Sequence, residues 1–226
     1  KLEILVTESD GSKLEDPENL KKLQKVSLYM DGKSLKNILD LEVYYELDSV
    51  CKQNELDLLR MDKYKPLMVL ITLAYQANKK FGVVADGVET HFTKKAVNDS
   101  KSLLYLESFE EILNFFDKAG EGNENEFIHY LINNIAEISK GFDEMVRTLK
   151  DGSSALIISQ IEELTHNYPA TYKLLVADRN KNWIPQLDSF LKTPEVEFVL
   201  LGALHLHGPD GVLQQMKNLG YKVEQL

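Results

Sequence analysis

The run Leu200-Leu201-Gly202-Ala203-Leu204-His205-Leu206-His207-Gly208 concentrates side chains able to do chemistry. It follows the apolar stretch Val196 to Leu201, read as a buried strand, and precedes a helical pattern that opens at Pro209. In open α/β sheets, ligands bind where strands end and helices begin. Gly202 and Gly208 let the backbone turn sharply or approach a ligand. His205 and His207 lie two apart, so in extended backbone they share a face. A neutral imidazole in that place can bind a divalent metal or act as a base. The plainer alternative is that both histidines cap the strand end and bond locally, because two histidines alone are a weak signal.

Acidic residues close two other apolar runs. Glu8 ends a stretch that begins at Leu2, and Glu107 ends Leu103 to Leu106. A carboxylate at the edge of a buried strand is costly unless it is paired or binds a cation. Each can equally cap the helix that follows it. Arg179, in Asp178-Arg179-Asn180, can stabilise developing negative charge or clamp a substrate carboxylate. It can also brace Glu8 or Glu107, and that ion pair is the preferred reading.

The elements that must position these groups follow from periodicity and punctuation. Leu2 to Glu8 and Leu103 to Leu106 read as buried strands. Pro17 suits a first helical turn, with Leu20, Leu23 and Val26 on one face. Asp40 can cap a helix carrying Leu41, Tyr44, Tyr45, Leu47 and Val50. Pro66 opens another, which Gly82 stops. Ser108-Phe109-Glu110-Glu111 has a capping-box pattern, and Gly120 ends the helix behind it. The longest helix carries Phe127, Leu131, Ile135, Ile138, Phe142, Met145 and Leu149 on one stripe, with Gly141 inside it. Ala155 to Leu164 forms a further helix after the turn pair Asp151-Gly152. Trp183, Ile184, Leu187 and Phe190 mark another, and Pro185 fits it if that helix starts near Asn182. Tyr221 to Leu226 reads as a last strand, which completes a C-terminal βαβ unit with the run at 196–201 and the helix from Pro209 to Leu219. The expectation is an α/β (α+β) fold, one helix-rich domain over 1–226 around a small mixed sheet.

Composition narrows the function. The chain has 226 residues, 43% apolar and 27% charged, with 36 acidic against 26 basic residues and a formal net charge of −10. That balance argues against a nucleic-acid partner, which needs a basic face; the pairs Lys21-Lys22 and Lys79-Lys80 read as solvated helix faces. No apolar run reaches the ~18 residues of a membrane span. The single Cys51 excludes an internal disulfide and a cysteine-rich zinc site. There is no Walker loop, no Gly-x-Gly-x-x-Gly, no Gly-x-Ser-x-Gly and no His-Glu-x-x-His, so nucleotide and serine-esterase readings lose their support. The opening Lys1 to Val6 is too short and mixed for a signal peptide. It begins in mid-strand, as if further chain preceded it.

The order of these pieces resembles the TraB/GumN family, which is similar to the TIKI proteases. Leu5-Val6-Thr7-Glu8-Ser9-Asp10 looks like its second strand, and Gly87-Val88-Glu89 like its short acidic motif. Lys101 to Glu107 looks like its Lys-to-Glu strand, and Asp178-Arg179-Asn180 with Trp183 matches a run that usually begins with Glu. Gly202 to Gly208, Asp210-Gly211-Val212 and Gly220-Tyr221-Lys222-Val223 match its closing motif, with His207 where Pro is common. The family's first Gly-x-x-His would fall upstream of Leu2. The resemblance implies a metal-dependent, peptidase-like hydrolase acting on a peptide or protein and associated with export to the cell envelope. It implies His205 and Glu8 as ligands of a divalent ion (Mn, Co or Zn), with Glu89, Glu107 and Arg179 as catalytic candidates. A non-catalytic peptide- or signal-binding module on the same fold is the alternative.

Overall fold

The structure is a computed structural model and describes residues 2–80 and 87–225, without the side chains of 136–145 and 149. The expected helix stop at Gly82 lies outside the described residues; the long helix runs Glu124–Lys150, with the side chains of Ile138, Phe142, Met145 and Leu149 outside the description. The chain forms two compact units: Lys1–Gly11, Asp86–Phe109 and Asp151–Leu226 make the first, and Ser12–Ala85 with Glu110–Lys150 the second.

The first unit holds the sheet. Strands β1 (Ile4–Ser9), β2 (Ser102–Glu107) and β3 (Glu197–Val199) lie in the order β2-β1-β3, all parallel. Val6 pairs with Leu104 on one side and Val199 on the other. The central β1 buries Leu5, Val6 and Thr7 in succession, as a strand covered on both faces must. On one face Val6 and Leu106 pack with Trp183, Leu187, Val212 and Met216. On the other side of the sheet, Phe92 of the Val88–Asn98 helix meets Phe198 edge to face, with ring centroids 5.2 Å apart. Because parallel strands require crossovers, helical segments separate every pair of strands.

Three expectations are corrected here. The sheet is parallel rather than mixed, and Tyr221 to Gln225 form no strand, so no C-terminal βαβ unit closes. The alternation in that segment is satisfied by side chains instead. Tyr221 and Val223 pack into the Trp183 cluster, the Tyr221 hydroxyl donates to Asp188 Oδ1 at 2.7 Å, and Gln225 Nε2 donates to the Gly152 carbonyl. The third correction concerns Pro185. The helix is Asp178–Phe190 and does not start near Asn182; it follows directly on a helical turn Pro169–Tyr172 and one π turn, Lys173–Ala177. Pro185 is therefore inside the helix. Both it and Lys181, whose carbonyl loses its helical donor, are exposed, so water can take the missing bond.

Among its described residues the second unit is helical apart from an isolated bridge between Leu28 and Tyr64. Leu35, Leu47, Leu58, Val69, Leu73, Ile128 and Leu131 are wholly excluded from solvent in one apolar cluster. The helices Leu41–Gln53, Pro66–Lys80 and Glu124–Lys150 supply most of it. Gly120 ends the Phe109–Lys118 helix in the left-handed region, at φ +86°, where a side chain would also press on Pro66. Among the described residues no helix is long and apolar enough to cross a membrane.

Candidate functional site at the strand ends

Parallel strands bring their C-terminal ends to one edge, and in the first unit that edge carries the candidate residues. Arg179, in the first turn of the Asp178–Phe190 helix, holds three of them and lies against Trp183. Its Nε donates to Glu107 Oε1 at 2.7 Å and its Nη2 to Glu107 Oε2 at 2.7 Å, a two-pronged pair. Nη2 also donates to Glu8 Oε2 at 2.9 Å, and Nη1 lies 3.2 Å from His205 Nε2. The guanidinium carbon sits 4.8 Å from the centre of the Trp183 ring, within cation–π range. Arg179 and Trp183 are four apart on one helix, which places them on the same face.

The histidine loop is not extended. Ala203–His205 is a 3-10 turn closed by the His205 amide on the Gly202 carbonyl at 2.9 Å. His205 and His207 therefore do not share a face as a strand would arrange them; His205 is buried, and the His207 carbonyl packs against Gly211. The glycines are explained by close approach. Glu8 Oε1 accepts from the Gly202 amide at 2.7 Å, and a Cβ at Gly202 would stand 3.3 Å from that oxygen. A Cβ at Gly211 would lie 2.3 Å from the His207 carbonyl oxygen, which no side chain permits.

Asn180, which sequence reasoning passed over, fixes the imidazole. Its Nδ2 donates to the backbone carbonyls of His205 at 3.0 Å and Asp210 at 2.8 Å. Two carbonyl acceptors assign the amide orientation, so its Oδ1 is the acceptor facing His205 Nδ1 at 2.8 Å. Nδ1 must then carry the proton, and Nε2 presents its lone pair to Arg179, which can only donate. His205 is thus a neutral imidazole of defined tautomer. Its pKa is lowered to about 4, first by burial and then by the Arg179 charge, against an opposing pull from Glu8. Burial also works against the charge of Arg179, but its bonds to Glu107 and the charges of Glu107 and Glu8 outweigh it and hold the guanidinium above its ordinary value.

Glu8, Glu107, Arg179 and His205 are therefore brought together. Glu89 stands beside them: it lies in the first turn of the Val88–Asn98 helix, next to Glu8 and the Thr7 hydroxyl. Its carboxyl is pushed up, by partial desolvation first and the charge of Glu8 second, with Thr7 pulling the other way. Asp178 pairs with Lys173 on an exposed surface and does not join the cluster. Below it, Trp183 is fully buried, with its ring centroid 4.4 Å from that of His205. Tyr172 donates to Asp210 Oδ2 at 3.0 Å, and burial with that bond pushes its hydroxyl up to about 12. The only signal for Asn180 in the sequence was its nearness to Arg179, and Tyr172 carried none; it precedes a π turn that only the structure shows, and such turns often interrupt helices at functional positions.

A neutral imidazole nitrogen and two carboxylates are donors of the kind a divalent ion takes. As they stand, however, no three His, Cys, Asp or Glu among the described residues form a set able to hold a metal. The group to which all three donors are bonded is the guanidinium of Arg179.

The class so defined is a helix-rich α/β protein with a half-buried network of arginine and carboxylates around a buried histidine at the ends of parallel strands. The chain belongs to the TraB/PrgY/gumN family, whose model matches residues 1–225. No curated protein and no solved structure matches it significantly.

Proposed function

We propose that this chain is a metal-dependent hydrolase of peptidase type, with its reaction centre at Glu8, Glu89, Glu107, Arg179 and His205. One observation carries the reading: the unprotonated Nε2 of His205 and the carboxylates of Glu8 and Glu107 all point at a single cationic group. His205 and Glu8 would hold a divalent ion, Mn, Co or Zn, which supplies a water acidified towards neutral pH. The remaining roles belong to the chain itself. Asn180 keeps Nε2 of His205 free of its proton, and the Arg179 charge favours an oxygen that becomes negative beside it. Glu89, whose carboxyl is raised, retains a proton to higher pH than an ordinary glutamate and suits delivery to a leaving amine. Trp183 closes the floor against water.

The test is cleavage of a fluorogenic peptide library and of unfolded casein, with Mn²⁺, Co²⁺ or Zn²⁺ and with chelator. Cleavage that needs the ion and is lost in His205→Ala and Glu89→Gln supports the proposal. Cleavage unchanged in His205→Ala sinks it. A second reading, a non-catalytic peptide- or signal-binding module, draws on the fact that Glu8, Glu107, Arg179 and His205 already satisfy one another. Peptide binding without turnover under every ion would select it.

A further inference from the structure

We propose that Arg179 is the resident cation of this site, and that a divalent ion enters only by displacing its guanidinium. The inference rests on the cation site of the proposed function and adds the rule by which that site is filled.

Glu8, Glu107 and His205 present six polar atoms, five with lone pairs that could serve an ion and the sixth the Nδ1 donor of His205, and each has a partner inside the protein. Glu107 gives both oxygens to Arg179, and Glu8 gives one to Arg179 and one to the Gly202 amide. His205 gives Nε2 to Arg179 and Nδ1 to Asn180. Four of the six are therefore held by one side chain, and moving that side chain releases all four together. The two that remain held, Glu8 Oε1 and His205 Nδ1, are bonded to a backbone amide and to an anchored asparagine. Those bonds orient the two side chains whether or not Arg179 is in place.

Charge leads to the same rule. The groups bonded to Arg179, two carboxylates and a neutral imidazole, sum with the guanidinium to one negative charge, before the neighbouring Glu89 is counted. Without the guanidinium they sum to two, which a divalent ion balances. An ion and a guanidinium sharing these donors would repel each other at close range in a half-buried site. Occupancy is therefore exclusive. Because Nε2 is already unprotonated, the exchange needs no proton to leave the histidine. The observed affinity for an ion is the intrinsic one multiplied by the fraction of time that Arg179 is out.

The experiment is calorimetric titration of Mn²⁺ and Co²⁺ into the wild-type chain, Arg179→Met, Arg179→Lys and the double variant Arg179→Met/His205→Ala. Arg179→Met is expected to bind one ion at least roughly tenfold more tightly than the wild type, since the displacement step is removed. Arg179→Lys should fall between them, because an ammonium cannot span both oxygens of Glu107 and His205 as the planar fork does. The double variant should lose the ion. As a second readout, about 1 mM Mn²⁺ should raise the melting temperature of Arg179→Met more than that of the wild type, because an ion that binds only the folded chain stabilises it. If Arg179→Met does not fold, Arg179→Lys carries the comparison alone. Arg179 variants that bind no more tightly than the wild type overturn the exchange. In that case, wild-type binding lost in His205→Ala leaves the proposed metal site standing. Absence of binding in every protein overturns both.

Discussion

The two units of the chain satisfy their buried polar groups in opposite ways. In the helical unit those groups bond at home: Ser27 Oγ donates to the Leu23 carbonyl and Asn54 Nδ2 to the Val50 carbonyl, each four residues back. The sheet unit ties groups far apart in sequence. Arg179 reaches Glu8 across 171 residues and Glu107 across 72, and His205 reaches Asn180 across 25. Local bonds cost little extra ordering, whereas distant ones require the whole unit to be assembled first. The helical unit is thus stabilised mainly by apolar burial. The sheet unit spends part of its stability on holding a polar arrangement at one edge, as a site does.

The largest expected effect tests that contrast directly. Arg179→Met leaves Glu8 and Glu107 facing each other with no counter-charge, and urea unfolding should show a loss of about 3–5 kcal/mol. A loss below about 1 kcal/mol would mean that the network is as weak as a surface pair and would break the comparison. In the helical unit, Leu131→Ala should cost about 2–5 kcal/mol by cavity formation. What separates the two is pH, since the leucine cost should not change with it.

The pH arm follows from His205. Its folded pKa of about 4 lies below its unfolded value, so in between the unfolded chain takes up a proton that the folded chain refuses. Its contribution is fully present above the unfolded value of about 6.5 and is lost as pH falls towards 4, by about 3 kcal/mol. His205→Gln should flatten that slope in urea melts at pH 7, 6, 5 and 4, and Leu131→Ala should leave it intact. Asn180→Leu is the smallest of the set, at about 1–3 kcal/mol for three orphaned buried partners. Its sharper readout is the imidazole ¹⁵N spectrum, in which the single Nδ1–H tautomer should give way to a mixture.

Much of this edge could be read in the chain because its signals were local. Glu8 and Glu107 closed apolar runs, His205 followed another, and an ion pair with Arg179 was the preferred fate of the two acids. Pro17 and Pro66 stand where the helices Pro17–Val26 and Pro66–Lys80 begin. What escaped depends on partners that periodicity does not see. Tyr221 to Gln225 alternates as a strand does, but a strand also needs an edge to pair with, and side-chain bonds replaced that pairing. The 3-10 turn at Ala203–His205 depends on Glu8 receiving the Gly202 amide from 194 positions away. Asn180 is an ordinary residue type at an ordinary helical position, and its importance comes from two carbonyls in a loop met 25 and 30 residues later. The division into two units left no trace in composition, because no Pro-, Gly- or Ser-rich linker marks its crossings and one of them falls between Phe109 and Glu110, inside a helix.

Trp183 is the only tryptophan in the chain, and it lies with its ring against His205 and under the guanidinium of Arg179. Indole emission responds to the charge and polarity of whatever touches the ring, so the protein carries its own optical reporter at the strand ends. Unlabelled protein excited at the indole band should change brightness when the imidazole gains a proton or the guanidinium leaves. A spectrum of the wild type therefore concerns one place in the molecule and no other.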